Sequence, residues 1–277
     1  MIVSSHNKSI PFNEKYFKRI LDSSSYLENI STLKELLIDD GFIYLKDFFK
    51  KEEILDLREY YFELFPENTI LKNGTSNREG ISSGKKFNVV YGSEDHPAYK
   101  FVRSAKLKKF IKSKKLSILI NQLAECKTKQ LKRIVIRHLY KGSRTSAKAH
   151  RDAQWSTGNV LSSWIVLGDC PIDSGGIVYL EKSNKINLQK VKSFFPKFIN
   201  TKWITDDLKA LSDKTKKRWC FANFQAGDLV IHDPNVIHAS LDANNDYMRL
   251  SIEVRFIPAI DTPDSKWTGD WKGGDGY

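Results

Sequence analysis

The sequence predicts a mainly β protein with flanking helices, its strands rolled into a jelly-roll barrel. From Lys132 onward, six short segments rich in β-branched or aromatic residues follow one another: Arg133–Tyr140, Leu161–Leu167, Gly176–Leu180, Asp228–His232, Val236–Leu241 and Met248–Ile257. Turn-forming stretches punctuate them at Lys141-Gly142-Ser143, Asp173-Ser-Gly-Gly176, Ala226-Gly227-Asp228 and Asp242–Asp246. A chain of 277 residues, 40% hydrophobic and 12% aromatic, is large enough to bury one sizeable core. Residues 1–277 therefore read as a single domain, with a helical N-terminal part to about 130, a strand-rich core over about 131–257 and a tail over 258–277.

The first forty residues read as mostly helical. Pro11–Leu21 is one expected helix and Ser31–Leu37 another, the latter with Ser31 as a capping residue and Glu35 in its first turn. Asp39-Asp40-Gly41 ends that helix, and Phe42-Ile-Tyr-Leu45 reads as a short strand. Lys50–Phe65 has helical periodicity again, with Ile54, Leu55, Leu57 and Leu64 among its apolar positions. Asn73–Lys86, rich in Gly, Ser and Asn, reads as a loop. Ser104–Cys126 reads as helical, with Leu107, Phe110 and Ile111, then Leu116, Leu119, Ile120 and Leu123 as its buried stripe. Within the barrel, Asn184–Arg218 is a Lys-rich, mixed helical stretch that reads as a lid or side insertion.

Composition excludes several classes. The N-terminal Met1-Ile-Val-Ser-Ser has no cationic segment followed by an apolar stretch, which argues against a secretory signal. No apolar run is long enough to cross a bilayer, so no membrane partner is expected. Cys126, Cys170 and Cys220 are few, odd in number and far apart, as expected of reduced thiols in a cytoplasmic protein. The net charge of +12 is unevenly spread: from Lys100 to Lys148 sixteen Lys or Arg stand against one acid, Glu125. Such a run is more often a solvated helix face; its functional reading is a field that steers an anionic substrate. The sequence sets no oligomeric state.

The chemistry concentrates in four residues: His150 and Asp152, then His238, which follows Asp152 by 86 positions, then Arg249, 11 positions further on. On a strand, the period of two puts both side chains of His150-Arg-Asp152 on one face. Two imidazoles and a carboxylate on one side of an ion, with positions left open, describe the facial triad of a non-haem Fe(II) oxygenase. An arginine fork suits the far carboxylate of 2-oxoglutarate. His232 competes with His238 as the second imidazole, but Pro234 breaks any strand joining them, and His232 reads as a satisfied barrel histidine. In the segment that Arg249 begins, Leu250, Ile252, Val254 and Phe256 form one side. Arg249, Ser251, Glu253 and Arg255 form the other, facing solvent or a polar cavity. Substrate contacts are expected from Gln154 and Trp155 at the mouth, from Arg137 and Tyr140 on the preceding strand, and from Lys86 on the loop side.

These residues sit in blocks that resemble the phytanoyl-CoA dioxygenase-like family of Fe(II)/2-oxoglutarate oxygenases. The resemblance starts at Asp40-Gly-Phe-Ile-Tyr-Leu-Lys-Asp-Phe-Phe. It continues through Ser163-Trp164-Ile-Val-Leu167-Gly-Asp169 and Gly175-Gly176-Ile-Val-Tyr-Leu180-Glu-Lys-Ser183. It closes with Gly227-Asp228-Leu-Val-Ile-His232, His238-Ala-Ser240 and Arg249-Leu-Ser-Ile-Glu-Val-Arg255-Phe256. The resemblance implies a cupin-like double-stranded β-helix with iron held by His150, Asp152 and His238. It also implies 2-oxoglutarate held by Arg249 with help from Ser240 and Trp164, and O2 as the second cosubstrate. Related halogenases carry a small residue where Asp152 stands, so the carboxylate favours hydroxylation of a small metabolite, an anionic one on the functional reading of the basic segment, with release of succinate and CO2. The chain departs from the best-known member in its tail, Trp267-Thr-Gly-Asp-Trp271-Lys-Gly-Gly-Asp-Gly-Tyr277, which is not a peroxisomal address. Two readings compete: an oxidative nucleic-acid demethylase, favoured by the basic segment and by Arg249 and Arg255 lying six apart, and a non-catalytic binder on the same barrel. The first lacks an aromatic-interleaved basic motif for stacking bases, so nucleic acid is not the expected partner.

Overall fold

The computed structural model describes residues 1–142, 146–155, 160–270 and 272. Ser143 of the expected turn, Arg144 of the basic run, and Trp271 and 273–277 of the tail lie outside the described residues.

The chain opens with strands, which corrects the helix expected over Pro11–Leu21. A hairpin of β1 (Ile2–Ser5) and β2 (Lys8–Pro11) turns at His6 and Asn7, whose φ values of 52° and 64° match the twist a tight hairpin needs. β3 (Phe17–Arg19) follows and pairs in parallel with a strand two hundred residues later, putting Phe17 against Phe12 and Phe221 at ring separations of 4.9 and 6.0 Å. That packing overrides a weak local helical pattern. α1 (Ile30–Asp40) starts with its cap two residues earlier than expected: the cap is Asn29, whose side chain accepts from the Thr32 N–H, and Gly41 closes the helix at φ 83°. β4 (Phe42–Leu45) and α2 (Lys51–Glu63) match the sequence pattern.

α3 (Pro97–Arg103) precedes two helices in place of one expected over Ser104–Cys126. Ser104 caps α4 (Ala105–Ile111), and Ser113 caps α5 (Lys114–Ala124) by accepting from the Leu116 N–H, so one hydroxyl breaks the run. The apolar stripe remains buried across the break, apart from the half-buried Phe110.

The remaining strands are β5 (Thr128–Gln130), β6 (Val135–Leu139), β7 (Ala149–His150), β8 (Leu161–Val166) and β9 (Ile177–Leu180). After α6 (Leu188–Ser193) come β10 (Trp203–Thr205), α7 (Leu208–Thr215), β11 (Trp219–Phe221), β12 (Leu229–His232), β13 (His238–Ser240), β14 (Arg249–Pro258) and α8 (Ser265–Thr268). With β3 and β4 these strands form two six-stranded sheets. The first runs β10-β7-β13-β9-β11-β3; the second runs β4-β12-β8-β14-β5, with β6 also on β14. This is the expected mainly β, jelly-roll class, although among the described residues neither sheet closes into a barrel. The stretch 184–218 is more than a side insertion, because its β10 adds an edge strand to the first sheet beside β7.

The second sheet has two unlike faces. Leu250, Ile252, Val254 and Phe256 pack with Ile43, Ile165 and Ile231 against helices α1 to α5. The alternate residues turn toward the first sheet, where Trp164, Val166, Ile177 and Tyr179 form an inter-sheet core. The cavity opens between the two sheets.

Gly227 fixes the entry into β12. Its φ is 111°, and a Cβ there would lie 2.6 Å from the Phe49 carbonyl oxygen, while the Phe49 N–H donates to the Gly227 carbonyl at 2.9 Å. Gly227→Ala should therefore destabilise the protein by about 2–3 kcal/mol through strain and clash, read as a lower urea midpoint at unchanged m-value.

Candidate active site

The register of the first sheet lines up one row of rings. Trp203 lies opposite His150, His150 opposite His238, and His238 opposite Tyr179. Partners opposed in register share a face, so all four side chains point toward the second sheet. The two imidazoles stand 4.2 Å apart, centroid to centroid. Each ring is oriented from behind: His150 Nδ1 is 2.8 Å from the Lys148 carbonyl and His238 Nδ1 is 3.2 Å from the Val236 carbonyl. A carbonyl only accepts, so both Nδ1 atoms carry the proton and both Nε2 lone pairs face the cavity. Burial, followed by the mutual repulsion of the imidazoles, lowers the His150 pKa to about 3; burial lowers that of His238 to about 4. Both rings are neutral at physiological pH, the form that binds a metal.

Asp152 follows β7 in a short 3-10 turn rather than on a strand, and its side chain is fully buried. A second row, His232, Ser162 and Arg255, lines up in register across β12, β8 and β14 and meets this carboxylate from the opposite sheet. Ser162 donates to Oδ2 at 2.7 Å, and His232 Nε2 lies 3.1 Å from the same oxygen. Arg255 donates to Oδ1 at 2.8 Å and to Glu253 at 2.6 Å. Burial alone would raise the Asp152 pKa; the Arg255 charge, with His232 and His238, overrides it and holds the carboxyl well below its usual range. Oδ1 also faces His150 Nε2 at 3.9 Å and His238 Nε2 at 3.8 Å. These three donor atoms lie within 4.8 Å of one another, a set able to hold one metal ion. Asp152, His232 and Glu253 satisfy the same distance, but there the His232 Nδ1 contacts the Tyr179 hydroxyl at 3.1 Å and Glu253 is paired with Arg255.

Arg249 stands further along the same inward face of β14. It is buried, packs 5.5 Å over the Trp164 ring, and donates through Nη2 to Ser251 at 2.7 Å. Its Nε and Nη1 are buried without an acceptor among the described residues. Burial lowers its pKa to about 10, so the guanidinium remains charged at neutral pH. An uncompensated buried cation facing a cavity is costly, and it fits a carboxylate that arrives with a ligand. The residues thus suit both an iron ion and a dicarboxylate keto acid, on the donor set of the triad and the orphaned donors of Arg249.

Of the other expected site residues, Trp164, Ser240, Trp155 and Arg137 line the same cavity. Three do not reach it. Tyr140 and Lys86 line a separate hollow beside His96 and His138, because β6 turns Tyr140 toward the helices. Gln154 points from the 3-10 turn to the Lys202 carbonyl and the Lys192 ammonium. Sequence reasoning missed Ser162 and Trp203, which only register places, and Lys266 and Trp267, which α8 brings back across the mouth.

A family model for phytanoyl-CoA dioxygenase matches residues 38–251. The chain belongs to the phytanoyl-CoA dioxygenase family. It is a 2-oxoglutarate-dependent dioxygenase by that membership, and Arg255, Lys266 and Trp267 lie beyond the matched stretch. Among solved structures, the epimerase SnoN in complex with Fe3+, alpha ketoglutarate and nogalamycin RO is similar, at 15% identity over 85% of each chain and a TM-score of 0.60. The carbocyclase SnoK from nogalamycin biosynthesis gives 17% identity over 84% of this chain and 86% of that one, with a TM-score of 0.57. EctD from S. alaskensis, in its apoform, gives 11% identity over 100% and 91%, with a TM-score of 0.59. At these identities the likeness establishes the shared fold. No curated protein sequence matches the chain.

Because Arg255 answers two buried carboxylates, its removal takes away the cation that both share. Arg255→Leu should cost the metal-free protein about 3–5 kcal/mol, measured by urea denaturation.

Proposed function

We propose that the protein hydroxylates a C–H bond of a small organic metabolite, with Fe(II) held by His150, Asp152 and His238 and 2-oxoglutarate anchored on Arg249. The observation that carries this reading is the pairing of two neutral imidazoles and an ionised carboxylate with a buried, charged arginine whose Nε and Nη1 lack acceptors among the described residues of the same cavity. Bound Fe(II) would supply the oxidising chemistry, in which O2 and 2-oxoglutarate are converted with substrate to hydroxylated product, succinate and CO2.

The chain's own part is geometry. The Lys148 and Val236 carbonyls fix the imidazole tautomers, and Ser162, His232 and Arg255 hold Asp152 ionised with Oδ1 toward the imidazoles. Ser251 fixes one arm of Arg249 and Trp164 supports the guanidinium from below, leaving its other edge for a carboxylate. Asp152 fills the position that a halide would need, which supports hydroxylation over halogenation. The cavity volume of about 410 Å³ suits a small substrate beside the keto acid.

Anaerobic addition of Fe(II) and 2-oxoglutarate should give the visible charge-transfer band of the chelate. His150→Ala and Asp152→Ala should abolish it, and a band retained in both variants would remove these residues from the metal site. Arg249→Ala should keep the band but weaken 2-oxoglutarate binding roughly a hundredfold, the loss expected for charged hydrogen bonds worth about 3 kcal/mol, read by titrating the band.

A further inference from the structure

The cavity carries more positive charge than the iron and keto acid reading uses. Arg133, Arg137, Lys148, Arg249, Arg255 and Lys266 line it, against the acids Asp152 and Glu253. Arg255 is committed to both acids, and Arg249 is assigned to the far carboxylate of 2-oxoglutarate. The charge of a bound Fe(II) is offset by Asp152 together with the near carboxylate of the keto acid. That leaves lining cations to spare. Among the described residues Arg137 bonds only the neighbouring Ile136 carbonyl, and Lys148 lies 5.7 Å over the Phe198 ring. Neither forms an ion pair with an acid among the described residues, and Lys266 forms none either, although Asp264 acts on it through space. Arg133, Arg137 and Lys148 belong to the basic run of the sequence, whose other described members are placed mostly on α3 to α5 and the turns around them.

Lys266 is the most specifically placed of these cations. Its ammonium lies 4.9 Å from the Trp267 ring and 5.4 Å from the Trp155 ring. The two indoles are locked together, since Trp267 Nε1 donates to the Trp155 carbonyl at 3.2 Å, and Trp203 packs on Trp155 at 5.1 Å. Arg255, which holds Asp152, also stacks on Trp267, 4.4 Å from the ring centroid. Burial and the nearby Lys202, Arg255 and Arg133 charges lower the Lys266 pKa, with Asp264 the one acid acting against them. The indole N–H of Trp155 is buried with no acceptor among the described residues. An ammonium and an orphaned N–H set in a wall of three indoles together ask for an acceptor that carries negative charge and an apolar body.

We propose that the substrate is a small oxyanion with an apolar body, its anionic group on Lys266 and its body against Trp155, Trp203 and Trp267. Carboxylates, sulfates and phosphates share this chemistry. The inference deepens the hydroxylase reading by naming the class of molecule, and it relies on that reading for the iron at Asp152 and the dicarboxylate on Arg249.

The test is calorimetric titration of the full chain, with 2-oxoglutarate present throughout, using phenylbutyrate, phenylbutyl phosphate and the neutral phenylbutanol. At least one oxyanion should bind about tenfold more tightly than the alcohol and quench the indole fluorescence. Which oxyanion binds better tells carboxylate from phosphate. Lys266→Gln should remove most of that preference, and Lys266→Arg should restore it. Equal affinity for the alcohol, no oxyanion binding at millimolar concentration, or a preference that survives in Lys266→Gln would each overturn the proposal. The chelate band of the unmodified protein reports separately on the hydroxylase reading. A band without oxyanion preference sinks only the present inference, and oxyanion preference without a band sinks only the hydroxylase.

Discussion

The constraint on which the site depends is the carboxylate of Asp152, buried between the two sheets and answered from both. The second sheet meets it with Ser162, His232 and Arg255, each presented by register on a different strand. The first sheet meets it with His150 and His238, whose Nε2 atoms face the oxygen that Arg255 also holds. An ionised carboxylate in such surroundings persists only with partners this complete, because an unpaired buried charge is among the costliest features a fold can carry. The same network therefore ties the sheets together and holds the metal-facing oxygen in place.

Arg249 shows the opposite electrostatic condition. Asp152 is saturated by the chain itself, whereas Arg249 is buried with donors unused. A fold that spends its pairing capacity on the carboxylate and leaves this cation open is preorganised for an incoming anion rather than for maximal stability. Further out, the tryptophan wall joins the two conditions physically, since Trp267 stacks on the guanidinium that steadies Asp152 and also faces Lys266. The mouth and the metal site thus share one aromatic and cationic framework, built partly from residues beyond the family's matched stretch.

The part of this arrangement legible in the sequence was the part carried by local pattern. The alternation of Leu250 to Phe256 against Arg249 to Arg255 was readable because a strand buried on both faces sorts its apolar and polar residues by period two. The spacing of His150, Asp152, His238 and Arg249 within recognisable blocks placed four side chains that the structure does bring to one cavity. What was illegible was set by pairing across long separations. β3 looks helical until Phe17 meets Phe221, and β10 looks like part of an insertion until Trp203 falls opposite His150. Ser162 looks like an ordinary strand serine until the register with His232 and Arg255 places it on Asp152. Tyr140 and Gln154 were misplaced because a position near a motif does not say which way a side chain turns.

The central claim is that one metal ion sits between His150, Asp152 and His238 with a dicarboxylate reaching Arg249. A crystal structure of the full chain with Mn(II) and 2-oxoglutarate, with anomalous data at the manganese edge, tests it most directly. The account predicts one anomalous peak bonded to His150 Nε2, Asp152 Oδ1 and His238 Nε2, with the far carboxylate on the Arg249 guanidinium. A peak among Asp152, His232 and Glu253, or a 2-oxoglutarate that leaves Arg249 untouched, would contradict it.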